Sequence, residues 1–203
     1  LYDTYQTAAC LKIGRRKLYN YWNHADDAYR AVTIRKKNGG VRRLYVPNAE
    51  LRALQVRILR QILQKLPISP YATAYAPGSS LRANAAPHVG KRYLLKLDIT
   101  DFFGSIRFGQ VYSAAFHTRY FPKSVGVLLT TLCCREEALP QGAPTSPALS
   151  NLVMRNFDDN LGKWCAARGI AYTRYCDDMT FSADVPLYAV YQEAQAMLRE
   201  MGF

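Results

Sequence analysis

TRYCDDMTFS, from Thr173 to Ser182, is the stretch on which the reading of this chain turns. Tyr, Thr and Phe crowd around two adjacent acids, Asp177 and Asp178, as expected for two strands in a tight hairpin with carboxylates at its tip. Neighbouring carboxylates repel, and burying them uncompensated is costly, so they persist where a cation or solvent neutralises them. Upstream, Tyr93, Leu95, Leu97 and Ile99 alternate with Leu94, Lys96 and Asp98, the period of a strand with one polar end. Asp98 alone reads as a loop cap. Beside the acidic hairpin it becomes a second carboxylate at a strand end. Oxygen ligands on a rigid sheet suit Mg²⁺, which takes one or two protein carboxylates and completes its shell with water and phosphate oxygens.

The flanking segments supply the rest of the fold. Ser146-Pro147 open a helical pattern through Leu149, Leu152, Val153, Phe157, Leu161 and Trp164, ending before Gly169. A last helix after Asp184 carries Leu187, Val190, Ala194, Met197 and Met201 on one face. Toward the N-terminus, Asn48 caps a helix through Leu51, Leu54, Ile58, Ile62 and Leu66, with Pro67 as its stop. Ala31 to Pro47 reads as two strands, around Val32-Thr33-Ile34 and Val41 to Val46, joined by a turn at Asn38-Gly39-Gly40. Thr7 to Trp22 suggests a helix, a turn near Gly14 and another helix, a packing element in preference to a DNA-reading pair. Tyr71 to Ala86, rich in Ala, Gly, Ser and Pro, reads as a loop linking two lobes.

At 203 residues, 49% hydrophobic and 12% aromatic, the chain can bury a substantial core. Its 27 Lys and Arg against 15 Asp and Glu leave a net charge of +12, concentrated before residue 100, and favour a polyanionic partner. The five cysteines show no CxxC spacing and are odd in number, which argues against a disulfide framework or a zinc clamp and for reduced thiols in a cytoplasm. No apolar run approaches the roughly 20 residues that span a bilayer, so no membrane partner is expected.

Tyr175-Cys176-Asp177-Asp178 resembles the Tyr-x-Asp-Asp signature of reverse transcriptases. The order of the other segments makes the match specific. A basic hairpin, IRKKNGGVRRLYVP from Ile34 to Pro47, comes first, then LDITDFFGSI from Leu97 to Ile106, then LPQGAPTSP from Leu139 to Pro147 leading into a helix, then the acidic hairpin. Asn84-Ala85-Ala86-Pro87-His88 is similar to the Asn-Ala-x-x-His motif of bacterial retron enzymes, and no catalytic role is assigned to His88.

The resemblance implies an α+β right-hand polymerase fold. It comprises an N-terminal helical segment (1–30), fingers (31–93), and a palm (94–203) of antiparallel sheet packed on helices, with a fingers-side excursion near 107–140. The family's next motif lies beyond Phe203, so the chain is expected to stop before the thumb. The implied activity is RNA-directed DNA polymerisation, with two Mg²⁺ ions, or Mn²⁺ in their place, adding deoxynucleotides to a primer 3′-hydroxyl on an RNA template. Asp98 and Asp177 would be metal ligands with the Ile99 carbonyl assisting, and Asp178 would support the site electrostatically. Lys36 and Arg42 would grip the incoming triphosphate, Phe103 would exclude a 2′-hydroxyl, and Gln141 would lie against the nascent base pair. Gly142, Tyr175, Arg35 and Arg43 would contact template or primer. Cys176 stands where Ala is common in the retron subfamily, a small-for-small change. The implied partners are deoxynucleotides, the template and primer, a structured non-coding RNA and an effector protein. A group II intron-type or other bacterial reverse transcriptase, or an RNA-binding module with a vestigial polymerase site, stays open as an alternative.

Overall fold

The computed structural model describes residues 1–35, 39–76 and 78–203. Among them the elements run α1 (Thr4–Cys10), α2 (Arg15–His24), β1 (Tyr29–Arg35), β2 (Val41–Pro47), α3 (Ala49–Gln61), α4 (Leu81–Ala85) and β3 (Tyr93–Asp98). They continue with α5 (Phe102–Ser105), α6 (Phe108–Ala115), α7 (Lys123–Cys133), α8 (Ser146–Ala166), β4 (Ala171–Tyr175), β5 (Asp178–Ala183) and α9 (Tyr188–Met201). The chain divides into two compact units, Leu1–Leu66 with Phe103–Leu149, and Pro67–Phe102 with Ser150–Phe203.

In the first unit α7 is the central helix. Val125, Leu128, Leu129, Leu132 and Cys133 are all buried, and α1, α2, α3 and α6 each pack against it. The α3 helix starts where the Asn48 side chain accepts from the Leu51 N–H, the cap expected from the sequence. Its regular part ends at Gln61, and a 3₁₀ turn over Leu63–Lys65 carries the chain to Pro67. β1 and β2 pair antiparallel from Tyr29↔Pro47 to Arg35↔Val41. Of the expected turn, Gly39 has φ 84° and Asn38 lies outside the described residues. The helices α6 and α7 were not among the elements expected from the sequence, where residues 107–140 read only as a fingers-side excursion.

The second unit holds a three-stranded antiparallel sheet of order β3-β5-β4. Its hairpin β4–β5 is buried nearly throughout, while the edge strand β3 is largely exposed. The outer edge of β4 is closed by residues 71–73, since the Arg174 N–H donates to the Tyr71 carbonyl at 2.8 Å and the Thr73 N–H to the Arg174 carbonyl at 2.8 Å. Tyr71 to Ala86, expected to link two lobes, therefore lies inside this unit, and the first crossing between units comes at Leu66–Pro67. The helix α8 begins in the first unit and continues in the second, where it bonds to β4 through Asp158. All five cysteines are free thiols, and no described helix is long and apolar enough to cross a membrane.

Candidate active site

The three acids singled out in the sequence meet at one end of the three-stranded sheet. Asp98, the last residue of β3, is the cross-strand partner of Asp178, the first residue of β5. Partners directly opposite on antiparallel strands project to the same face, and like charges in that position destabilise the pair. Asp177 occupies the two-residue turn between Tyr175 and Asp178, and its carbonyl accepts from the Ile99 N–H at 3.3 Å, which ties the turn to the end of β3. The other turn residue, Cys176, has φ 63°, a left-handed conformation that suits a hairpin turn but is uncommon without glycine. Its thiol accepts from the Tyr75 hydroxyl at 3.4 Å, and burial pushes the thiol pKa up, so Cys176 sits there as a neutral, small side chain.

One cation stands among these acids that the sequence did not single out. The Lys96 ammonium lies 3.7 Å from an Asp178 oxygen, both side chains being about half exposed. Strand alternation puts Lys96 on the face of Asp98, so the signal was its i−2 position. Among the described residues no group of three or more His, Cys, Asp or Glu is placed to hold a metal ion. The donors that register brings together, Asp98 and Asp177–Asp178, are carboxylates without a nitrogen or sulfur ligand, a set that fits a hard divalent cation completed by water and phosphate.

His88 is part-buried and bonded on both ring nitrogens, to Ser182 Oγ at 2.7 Å and to Thr173 Oγ1 at 2.8 Å. It joins β4 to β5 from the face opposite Arg174. Asn84 of the same motif accepts from the Thr73 hydroxyl at 2.6 Å. The motif thus acts as a clamp on the acidic hairpin.

Tyr175, half-buried at the end of β4, belongs to the second unit, and the other candidates that the structure describes lie in the first. Arg35 and Arg42 are exposed on the β1–β2 ribbon, and the exposed Arg43 places its guanidinium 5.7 Å from the Tyr45 ring centre. Lys36 lies outside the described residues. Gln141 and Gly142 line β2, because the Gln141 carbonyl accepts from the Tyr45 N–H at 2.7 Å. Gly142 has φ 121°, and a Cβ there would stand 2.9 Å from the Tyr45 carbonyl oxygen, so only glycine fits this approach. Phe103 is half-buried in the single turn α5. Sequence reasoning passed over Arg135, whose guanidinium stacks 3.9 Å from the Tyr45 ring centre and braces the base of the ribbon.

Residues 34–203 match the family described as "Reverse transcriptase (RNA-dependent DNA polymerase)". The chain is 40% identical to the retron Ec86 reverse transcriptase of Escherichia coli over 161 residues, 78% of this chain and 50% of that protein. It is 39% identical to the retron Mx65 reverse transcriptase of Myxococcus xanthus over 196 residues, 86% of this chain and 45% of that protein. With the retron Mx162 reverse transcriptase of the same organism it shares 31% identity over 191 residues, covering 85% of this chain and 39% of the relative. The chain thus spans about half the length of the curated relatives it matches.

Proposed function

We propose, from the premise that this chain belongs to the reverse transcriptase (RNA-dependent DNA polymerase) family, that it forms the fingers and palm of a retron-type RNA-directed DNA polymerase. The observation that carries this reading is the pairing of Asp98 with Asp178, with Asp177 bonded across to Ile99, at the end of one rigid sheet. The second unit then corresponds to the core of the palm, and the β1–β2 ribbon with its helices to the fingers. That the relatives are retron enzymes, together with the Asn84-to-His88 motif, favours the retron type over group II intron enzymes.

In this reading Asp98 and Asp177 hold two Mg²⁺ ions, with the Ile99 carbonyl as a further oxygen donor and Asp178 adding negative charge behind them. When bound, such ions lower the pKa of a primer 3′-hydroxyl and offset charge on the leaving pyrophosphate. The reaction joins that hydroxyl to the α-phosphorus of a deoxynucleoside triphosphate, breaks the α–β phosphoanhydride bond and releases pyrophosphate. Lys36 and Arg42 bind the triphosphate through charge-assisted hydrogen bonds. The Phe103 ring packs under the sugar and excludes a 2′-hydroxyl. Gln141 and Gly142, held against β2 through their backbone, present a flat surface to the new base pair. Arg35, Arg43 and Tyr175 contact the template or primer. The template is the RNA of a structured non-coding transcript, which also positions the primer.

Primer extension on an RNA template by the full-length protein tests the reading. Asp177→Asn is expected to lower extension by about 10²–10³-fold or more, the scale on which loss of one preorganised electrostatic group acts. Extension by Asp177→Asn at the wild-type rate would remove Asp177 from the site. Phe103→Ala is expected to admit ribonucleotides, and unchanged sugar selectivity would take Phe103 out of the gate.

A further inference from the structure

Arg174 is the largest fully buried side chain among the described residues, with no exposed surface. Burying a guanidinium is costly unless it is paired and hydrogen-bonded, and here each of its three nitrogens has an acceptor, in three directions. Nε donates to Asp158 Oδ1 at 2.8 Å and Nη2 to Asp158 Oδ2 at 2.6 Å, a bidentate pair with a carboxylate on α8. Nη2 also reaches Asn151 Oδ1 at 3.2 Å, two helical turns before Asp158 on the same face. Nη1 turns the other way and donates to the Cys176 carbonyl at 2.8 Å. That carbonyl belongs to the peptide bond whose nitrogen is Asp177's own. The support is itself anchored, since Asn151 Nδ2 donates to the Ala74 carbonyl at 2.8 Å and the Tyr172 hydroxyl to Asp158 Oδ1 at 2.8 Å.

We propose that Arg174 is a positioning residue for nucleotide addition: braced by Asp158 and Asn151 on α8, it holds the Cys176–Asp177 peptide and thereby sets where the Asp177 carboxylate stands. The inference rests on the polymerase reading given above. A buried ion pair made only for stability would need no donor on the turn. This one spends a guanidinium nitrogen on the single peptide that orients the acid, in a turn whose Cys176 has an uncommon left-handed φ that something must hold. Only arginine can do both tasks, because its planar fork grips a carboxylate bidentately and still offers a donor on the other side, whereas a lysine ammonium is a single point.

The decisive variant replaces the network by apolar groups, Arg174→Met with Asp158→Leu and Tyr172→Phe, because such replacements of buried ion pairs often preserve folding. In the full-length protein the variant is expected to melt within about 5 °C of wild type. It is also expected to bind Mn²⁺, read by electron paramagnetic resonance, at least about tenfold more weakly, the scale on which supports behind metal ligands act. Hydrogen exchange of the amides around 176–178 should quicken, and kcat should fall with KM for the deoxynucleotide little changed. Wild-type Mn²⁺ affinity and wild-type exchange in the folded variant would overturn the proposal.

If the triple variant does not fold, Arg174→Lys serves instead. It retains the charge next to Asp158 and cannot span to the Cys176 carbonyl, so the same weakening of Mn²⁺ binding is expected, and wild-type affinity and exchange would overturn the proposal. Asp177→Asn in parallel separates two failures. If Asp177→Asn still extends primers, the reading of the site falls and the role of Arg174 falls with it. If Asp177→Asn is inactive while the Arg174 variants match wild type, only the positioning role falls.

Discussion

The two hairpins of this protein have the same antiparallel geometry and opposite surroundings. β4–β5 is buried on both faces, with Arg174 and Asp158 beneath it and His88 above. β1–β2 is exposed along most of its length and tied down at its base, where the Asn48 N–H donates to the Ala28 carbonyl at 2.7 Å and the Tyr45 N–H to the Gln141 carbonyl at 2.7 Å. A two-stranded ribbon standing alone is only marginally stable. In the proposed function the difference would suit two kinds of work, with carboxylates that must keep a fixed separation on the strand pair that packing over-determines and cations that bind an incoming anion on the exposed pair.

The contrast is broken most directly by removing Arg174. Arg174→Ala leaves Asp158 charged and buried without its cation, the Tyr172 hydroxyl remaining as a neutral donor, and is expected to lower folding stability by about 3–5 kcal/mol in urea denaturation. A loss under about 1 kcal/mol would mean that the acidic hairpin is no better anchored than the exposed one. Next in size is Gly142→Ala, which tests the tie at the base of the basic ribbon. With φ 121° and the Tyr45 carbonyl in the way, it is expected to cost about 1–3 kcal/mol in the same assay and to lower primer extension.

The acidic site was legible in the sequence to the extent that its chemistry is local. Asp98 at a strand end, Asp177 and Asp178 at a turn, and the Asn48 cap are each signalled within a few residues. The network behind them is not, because Arg174 and Asp158 meet only when α8 packs on β4. A trace was present nonetheless. Asn151 and Asp158 stand seven residues apart on the stripe that also carries Met154 and Leu161, positions where a polar side chain calls for a buried partner. Arg174 likewise stood in a strand buried on both faces. The helices α6 and α7 were passed over although α7 carries a helical period, with Val125, Leu128, Leu129 and Leu132 buried on one face. Residues 71–86 escaped because their partners, the edge of β4 and the Asn84 clamp, are distant in sequence.

His88→Ala sharpens the comparison from the other face. Thr173 and Ser182 lose a shared partner, and a loss of about 1–2 kcal/mol is expected. Burial holds the His88 pKa below its ordinary 6.5. As the pH falls through about 6.5 the unfolded chain takes up the proton first, so the stability that neutral His88 contributes declines from there toward its lowered pKa. The stability gap between wild type and His88→Ala is therefore widest above about pH 6.5 and narrows on acidification. A gap that widens in acid would mean that His88 is held as the imidazolium.

The smallest effect on folding is expected at a residue to which the proposed function gives a role in nucleotide binding. Arg42 is exposed on β2 opposite Ile34, so Arg42→Ala should change stability by no more than about 0.5 kcal/mol. A charge-assisted hydrogen bond to a phosphate is worth about 1.5–3 kcal/mol, which corresponds to a rise in KM for the deoxynucleotide of about 10- to 100-fold. The two hairpins then respond in opposite ways. Substitution at Arg174 moves stability and metal affinity, whereas substitution at Arg42 moves nucleotide affinity alone, and added salt should weaken the wild-type enzyme toward the variant because the contact is solvent-exposed. If Arg42→Ala instead lowers the melting temperature and leaves KM unchanged, the basic ribbon is a structural element, and the division of labour between the hairpins does not hold.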